Sequence, residues 1–364
     1  MGGFTFAPSG REARLGDKLG EISWGFVALI SLIAFIGVAV LYSVAGGNLD
    51  PWASRQLVRF AAGFVILVAV ALIDIRIWMS LAYPAYAMSV VLLVLVEFFG
   101  ETGGGAERWL NVGPVQVQPS ELMKISLILA LARYFHGLTL DEVSRVFFLV
   151  PPLALIGMPV VLVLLQPNLG TATILGLCGA SLLFLAGLSW KWIVPAVGGA
   201  LSAIPIAWQF LHDYQKERVY TFLDPDRDPL GAGYNILQAK IALGSGGIFG
   251  KGFLNGTQSH LNFLPEKQTD FIFTMLAEEF GLVALNARSQ FARLLAMGIC
   301  LNFLFYILIN VSMVMGLIPV VGIPLPLVSY GGTAMLTVML GFGLLMSVHV
   351  HRNVEIARSS NAFW

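Results

Sequence analysis

Residues 23–46 read SWGFVALISLIAFIGVAVLYSVAG, and this stretch decides the class of fold. It contains no charged residue and exceeds the roughly 20 apolar residues that an α-helix needs to cross a bilayer. It is longer than the apolar core of a secretory signal peptide, and no evident A-x-A cleavage site ends it. We therefore expect a retained first transmembrane helix, preceded by a polar N-terminal tail over residues 1–21.

The composition of the 364-residue chain indicates a membrane protein throughout. Apolar residues make up 57% and charged residues 12%, with a mean hydropathy of +0.81, whereas soluble domains carry about 25% charged residues. The net charge of zero argues against a nucleic-acid partner. Cys178 and Cys300 both lie in apolar runs, so neither a disulfide framework nor a metal cluster is indicated.

Eight further apolar runs are long enough to span a bilayer. The nine runs cover residues 23–45, 57–74, 77–98, 121–136, 146–165, 169–188, 192–210, 294–317 and 331–349. They predict an all-α polytopic membrane protein with a single transmembrane domain over 22–352 and a C-terminal tail over 353–364. Two longer polar segments, 99–120 and 211–270, interrupt the spans.

The distribution of Lys and Arg predicts the orientation, because short cytoplasmic loops are enriched in both. One set of alternate connections carries Lys18, Arg76, Arg133, Arg145 and Lys191, so both termini are expected in the cytoplasm and 211–270 outside. Nine spans cannot place both termini on one side. We therefore expect about ten helices in the complete arrangement, one of them missing from this chain near 282–288.

Two charged residues inside a predicted span stand out, because ionisable groups in lipid are costly and are often functional. Glu121 and Lys124 follow the helix-start signal Pro119-Ser120 and are three residues apart, so they can pair on one helix face. The pair can be structural, functional or both. Arg59, near the outer end of the second span, needs an anion or a water-filled cavity, or else it snorkels.

The polar segments offer further candidates. In 99–120, Arg108 could bind a phosphate through its planar guanidinium, while the adjacent Trp109 is either part of a site or an interfacial anchor. The stretch GSGGIFGKG at 244–252 is not a nucleotide-binding loop, because Ser245 and Gly252 replace the required Gly and Ser or Thr. We expect no nucleotide cofactor.

Four stretches make the chain resemble the RodA/FtsW family, the SEDS (shape, elongation, division and sporulation) proteins of the bacterial cytoplasmic membrane. They are ERWLNVGPVQVQPSELMK at 107–124, QPNLGTATIL at 166–175, GKGFLNGTQSHLNFLPEKQTDFIF at 250–273 and NVSMVMGLIPVVGIPLPLVSYGGTAML at 310–336. The third stretch favours RodA over FtsW. One departure is Asn168, where the family usually has Asp; Asn serves equally well as a helix cap.

The resemblance implies ten spans and a peptidoglycan glycosyltransferase that polymerises lipid II on the outer face of the membrane during cell elongation. The family's required acid falls on Asp270, as a general base or as a ligand of a divalent cation, Mg²⁺ or Mn²⁺. A helix N-cap is the structural alternative for Asp270. The predicted substrate-binding residues are Arg108, Trp109, Glu121, Lys124, Arg218 and Glu266.

The resemblance also implies partners, namely a class B penicillin-binding protein, which is a single-span transpeptidase, and the elongation machinery. Two other functions remain open from the residues. A lipid II flippase would also have about ten spans, buried charges and helices broken at Pro and Gly. A scaffold that only recruits other wall enzymes would leave the Asp270 carboxylate dispensable.

Overall fold

The computed structural model describes residues 15–103, 106–112, 115–166, 168–210, 216–217, 219–221, 289–315, 317–319, 322–352, 354 and 356. The helices are α1 (Leu15–Glu21), α2 (Trp24–Val44), α3 (Ala53–Leu72), α4 (Ile75–Phe99), α5 (Pro119–His136), α6 (Leu140–Val143), α7 (Val146–Leu165), α8 (Leu169–Leu185), α9 (Trp190–Phe210), α10 (Gln290–Val314) and α11 (Gly332–Val350). Most of both predicted tails lies outside the described residues, so the tail boundaries remain predictions.

A helix forms at each of the nine predicted spans, with ends within four residues of the predicted ones. Within the described part of the chain, six helices are long and apolar enough to cross a membrane, namely α2, α3, α4, α7, α10 and α11. Helix α8 has 17 residues, and α5 contains Glu121, Lys124 and Arg133. The prediction of a helical multi-pass membrane protein is confirmed.

The polar segment 99–120, for which the sequence predicted no secondary structure, forms a small antiparallel sheet in the order β1-β2-β3. The strands are β1 (Glu101–Gly103), β2 (Ala106–Val112) and β3 (Val115–Val117), with Trp109 opposite Glu101 and Leu110 opposite Val117. A sheet with open edges is possible here because this segment lies outside the apolar runs, where water can bind the N–H and C=O groups of the edge strands. In lipid those backbone groups would stay unpaired.

Helix α5 is the centre of the bundle, and 16 of its 18 residues are buried. It packs against α4, α7, α8, α10 and α11. Gly298 of α10 lets the helices approach closely, since a Cβ there would lie 2.6 Å from Ile128 Cγ2. Because α5 contacts other helices rather than lipid, its charged residues can find partners inside the bundle. A helix that faces lipid could not carry them.

Paired contacts fix the direction of the helices. Helices α3 and α11 run parallel, because Arg59 lies beside Gly332 near their starts and Val70 lies beside Gly343 further along. Helix α10 runs antiparallel to α5, since the Phe291 N–H at its start donates to His136 Nδ1 at the end of α5 (3.3 Å). The bundle thus has a sheet end, with β1–β3 and the starts of α3, α5 and α11, and an opposite end.

The opposite end carries the cations on which the predicted orientation rests, and we call it the basic end. Lys18 Nζ donates to the Leu72 carbonyl at the end of α3 (3.2 Å), and Arg133 Nη1 donates to the Met79 carbonyl (2.9 Å). Arg352 forms an ion pair with Glu21 (3.3 Å). The further cations next to helix ends here are Arg76, Arg145, Lys191 and Arg293.

Candidate functional site

The two charged residues predicted to pair inside α5 do so. Pro119 opens the helix at a position where its missing N–H costs nothing. Lys124 Nζ donates to Glu121 Oε1 at 2.7 Å, on the face that residues three apart share. Glu121 is 4% exposed and Lys124 is 1% exposed, so neither charge reaches solvent. The pair therefore offsets within the protein a desolvation cost that either charge alone could not bear.

Tyr306 of α10 completes the pair into a triad. Its hydroxyl donates to Glu121 Oε2 at 2.5 Å and accepts a hydrogen bond from Lys124 Nζ. The ammonium also lies 4.2 Å from the centroid of the Tyr306 ring, a cation–π contact. Both carboxylate oxygens of Glu121 therefore accept a hydrogen bond, and Lys124 uses two of its three donors. Sequence reasoning missed Tyr306, since nothing local links it to α5.

The triad is buried beside apolar side chains. Tyr306 belongs to a buried cluster with Ile174, Cys178 and Ile323. Because Glu121 and Lys124 lie in the first two turns of α5, the triad is at the sheet end of the bundle. The charges of Glu121 and Lys124 cancel, and both carboxylate oxygens accept hydrogen bonds, so the triad is suited to positioning α5 against α10. Its hydrogen bonds leave one donor of the Lys124 ammonium for a ligand.

The other predicted site residues are placed as follows. Trp109 lies on β2, partly buried and paired with Glu101. Arg108 precedes it on the same strand, but its side chain is outside the described set. Arg218, Glu266 and Asp270 lie outside the described residues altogether. The structure thus brings Glu121 and Lys124 together and leaves the predictions for the remaining residues as they were.

Asn168, at the position where the family usually has Asp, is the N-cap of α8. Its Oδ1 accepts a hydrogen bond from the Thr171 N–H at 3.3 Å. This satisfies one of the N–H groups that a helix start leaves unpaired. The capping interpretation of this position therefore has direct geometric support.

A metal site is not found in the part of the chain described here, where no three His, Cys, Asp or Glu side chains are grouped to hold an ion. Asp270, the predicted candidate ligand, is not in that part. The prediction of a divalent cation accordingly stays a prediction.

Comparison with known proteins finds one matching family model and similar relatives. The model of the FtsW/RodA/SpoVE family, described as cell cycle proteins, matches residues 21–287 and 282–354. The two matched pieces meet at 282–287, where the sequence predicts that a helix is missing. The peptidoglycan glycosyltransferase MrdB of Escherichia coli is 44% identical over 90% of this chain and 92% of its own length.

Two solved structures share the fold. A chain from a peptidoglycan synthase complex that coordinates polymerization and crosslinking is 34% identical, with a TM-score of 0.76 over 92% of this chain and 99% of that one. The rod shape determining protein RodA of Thermus thermophilus is 28% identical, with a TM-score of 0.66 over 92% of this chain and 98% of that one. The predicted likeness to RodA is confirmed.

Proposed function

Because this chain belongs to the FtsW/RodA/SpoVE family of cell cycle proteins, we propose that it is a peptidoglycan glycosyltransferase that polymerises lipid II during cell elongation. The activity by which its Escherichia coli relative is named supports this proposal. The observation in the structure that carries it is the buried triad of Glu121, Lys124 and Tyr306 at the sheet end. A polar triad at this end of a lipid-embedded bundle is compatible with a substrate that has a polar head and a lipid tail.

The reaction joins two lipid-linked disaccharides. A sugar hydroxyl attacks an anomeric carbon, a glycosidic bond forms, and the bond to the lipid pyrophosphate breaks. The attacking hydroxyl loses a proton, for which we propose the Asp270 carboxylate as the general base. Glu121 is a poorer base, since Lys124 and Tyr306 already occupy both of its oxygens.

The departing pyrophosphate requires positive charge. We propose that Arg108 and Arg218 supply it, with Trp109 and Glu266 contacting the sugars. For Lys124 the structure supports a narrower role, because only one ammonium donor is left by its contacts with Glu121 and Tyr306. The alternative for Asp270 is to hold a divalent cation, Mg²⁺ or Mn²⁺, that would offset the pyrophosphate charge.

We propose that the sheet end faces outward and that both termini are cytoplasmic in the bacterial inner membrane. The cations gathered at the basic end support this orientation through the positive-inside rule. We also propose ten spans for the complete arrangement, one of them missing from this chain near 282–288. The overlap of the two matched pieces at 282–287 supports that count.

A transpeptidase partner is proposed as well. One solved relative is part of a peptidoglycan synthase complex that coordinates polymerization and crosslinking. We propose that this chain likewise acts with a class B penicillin-binding protein within the elongation machinery.

Polymer formation by the purified protein in detergent tests the function. A glycosyltransferase extends glycan strands from lipid II in detergent, with or without the partner. A flippase has no measurable activity there, because detergent offers no second leaflet. Absence of polymer from folded protein in the presence of its transpeptidase partner and Mg²⁺ or Mn²⁺ would refute the proposal.

A further inference from the structure

Arg59 lies at the sheet end without an anionic partner among the described residues. Its Nη1 is buried there with no hydrogen-bond partner. The ion pairs found in the described part of the chain are Glu121–Lys124 and Glu21–Arg352, and neither includes it. A guanidinium on a membrane-spanning helix, with one nitrogen buried, is costly unless an anion or a polar group compensates its charge.

The guanidinium is held in a defined position. Its Cζ lies 4.4 Å from the centroid of the Tyr330 ring, and a Cβ added at Gly332 would come within 3.3 Å of it. Gly332 is the first residue of α11. The positive side chain of α3 therefore lies directly against the start of α11, where the helix dipole already favours negative charge.

The start of α11 has donors that no side chain caps within the described residues. Gly331 at the N-cap has no side chain to cap the helix. Thr333, in the first turn, is only 6% exposed, and its hydroxyl makes no hydrogen bond within the described residues. Side chains in a helix point back toward its N-terminus, so this hydroxyl is directed to the same end as the free N–H groups. A buried hydroxyl without a partner is an independent sign of a missing ligand.

Hydrogen bonds hold the loop before α11 against α3. Gln56 Nε2 on α3 donates to the Ser329 carbonyl at 3.1 Å, and the Leu325 N–H donates to Ser329 Oγ at 2.8 Å. The segment from Leu325 to Ser329 is thereby tied to α3, one turn before Arg59. These hydrogen bonds keep the start of α11 next to Arg59.

These groups match a phosphate and point to its source. A guanidinium, free helix N–H groups and a hydroxyl together bind phosphate oxygens well. On the same helix, Val58 is 71% exposed and Val65 is 67% exposed, so the face of α3 next to Arg59 is open to lipid. A free phosphate ion would have to leave water to reach such a place, whereas a lipid headgroup is already there.

We propose that Arg59, Thr333 and the start of α11 bind the phosphate of a membrane lipid headgroup. The lipid is either an anionic phospholipid or the polyprenyl pyrophosphate carrier, and both present the same phosphate oxygens. The site shares no residue with the triad of Glu121, Lys124 and Tyr306. If the lipid is the carrier, this proposal rests on the proposed function. If the lipid is a phospholipid, the proposal does not depend on that function.

The test is a lipid titration of the purified full chain in non-ionic detergent, read by the melting temperature, which requires no polymerase activity. The probes are phosphatidylglycerol, polyprenyl pyrophosphate and, as a zwitterionic reference, phosphatidylcholine. Arg59→Gln should weaken the apparent affinity for one anionic probe about 10- to 100-fold, the worth of a charge-assisted hydrogen bond. The affinity of Arg59→Lys should lie between those of the wild type and Arg59→Gln, because lysine keeps the positive charge and loses the planar guanidinium that can make two parallel hydrogen bonds.

Two more variants make the result unambiguous. Thr333→Val, which keeps the shape and removes the hydroxyl, should weaken the same probe several-fold and carries the test if the Arg59 variants fold poorly. Arg76→Gln, which removes one positive charge at the basic end, should change nothing. Loss confined to phosphatidylglycerol identifies a phospholipid, and loss confined to polyprenyl pyrophosphate identifies the carrier. Equal affinities of the wild type, Arg59→Gln and Thr333→Val for both anionic probes would overturn the proposal.

Discussion

The Tyr306 hydroxyl on α10 donates a 2.5 Å hydrogen bond to Oε2 of Glu121 on α5. The other oxygen of that carboxylate accepts from Lys124, so both oxygens of Glu121 already have a protein partner. Glu121 therefore holds the Lys124 ammonium in place and joins α5 to α10. This arrangement leaves the carboxylate poorly suited to act as a general base.

Removing the Tyr306 hydroxyl should show how much its hydrogen bond to Glu121 contributes to the free energy of unfolding. Tyr306→Phe keeps the ring beside the Lys124 ammonium but leaves Glu121 Oε2 buried and unpaired, which costs about 1–3 kcal/mol or more. The free energy of unfolding in detergent measures this. Tyr83→Phe is the control, because that hydroxyl makes no hydrogen bond within the described part of the chain and its ring, under Arg133, is retained. Equal stability of both variants would mean that the bond contributes nothing.

A double-mutant cycle should show that Glu121 and Lys124 are energetically coupled. Lys124→Met leaves the carboxylate buried without its cation, at a cost of about 3–5 kcal/mol. Glu121→Gln/Lys124→Met removes both charges and should lose less stability than that single change. Strictly additive losses would show no coupling. A double variant that folds well yet does not polymerise lipid II would establish a functional role beside the structural one.

The cap at Asn168 gives a prediction about the departure from the family pattern. Asn168→Ala loses the acceptor for the Thr171 N–H and should cost about 1 kcal/mol, whereas Asn168→Asp should stay close to the wild type. Ser289→Ala at the N-cap of α10 is a positive control and should cost a similar amount, since Ser289 Oγ accepts a hydrogen bond from the Ala292 N–H at 3.1 Å. An unchanged melting temperature for Asn168→Ala would contradict the capping role.

Orientation can be tested with single cysteines at exposed positions. In a chain with Cys178 and Cys300 replaced by Ala, a membrane-impermeant maleimide added to intact cells should modify Asn111→Cys on β2. It should spare Asp141→Cys on α6 at the basic end until the membrane is opened. Both positions are exposed in the structure, so access depends on the side of the membrane alone. The opposite labelling pattern would invert the proposed active face.

The spans were predictable because crossing a bilayer requires a long apolar run, and that requirement is visible in any window of the chain. The helical fate of 119–136 was predictable from Pro119 and the apolar residues around Lys124, and so was the ion pair, since i, i+3 spacing is local. The ion pair depends on residues within one helical turn, and each span depends on one continuous run of about 20 residues.

What the sequence did not reveal depends on distant contacts. Tyr306 is 185 residues from Glu121, and an isolated tyrosine in an apolar helix gives no local sign of its partner. The contact of Arg59 with Tyr330 and Gly332 likewise joins helices far apart in the chain. The sheet at 101–117 is a local feature, but two of its three strands have only three residues, which is too short for an alternating pattern to be visible. The role of Asp270 was inferred from resemblance and is still to be tested by experiment.

The most direct test of the account is the rate at which the purified protein polymerises lipid II, compared between the wild type and Asp270→Asn in the presence of the transpeptidase partner. The asparagine keeps the shape and any capping oxygen but cannot take a proton, so a general base predicts a loss of about 10²–10⁴-fold with an unchanged melting temperature. A ligand role predicts a loss that excess Mg²⁺ or Mn²⁺ partly restores by mass action. An Asp270→Asn protein that polymerises at the wild-type rate would contradict the claim that this acid acts in the reaction.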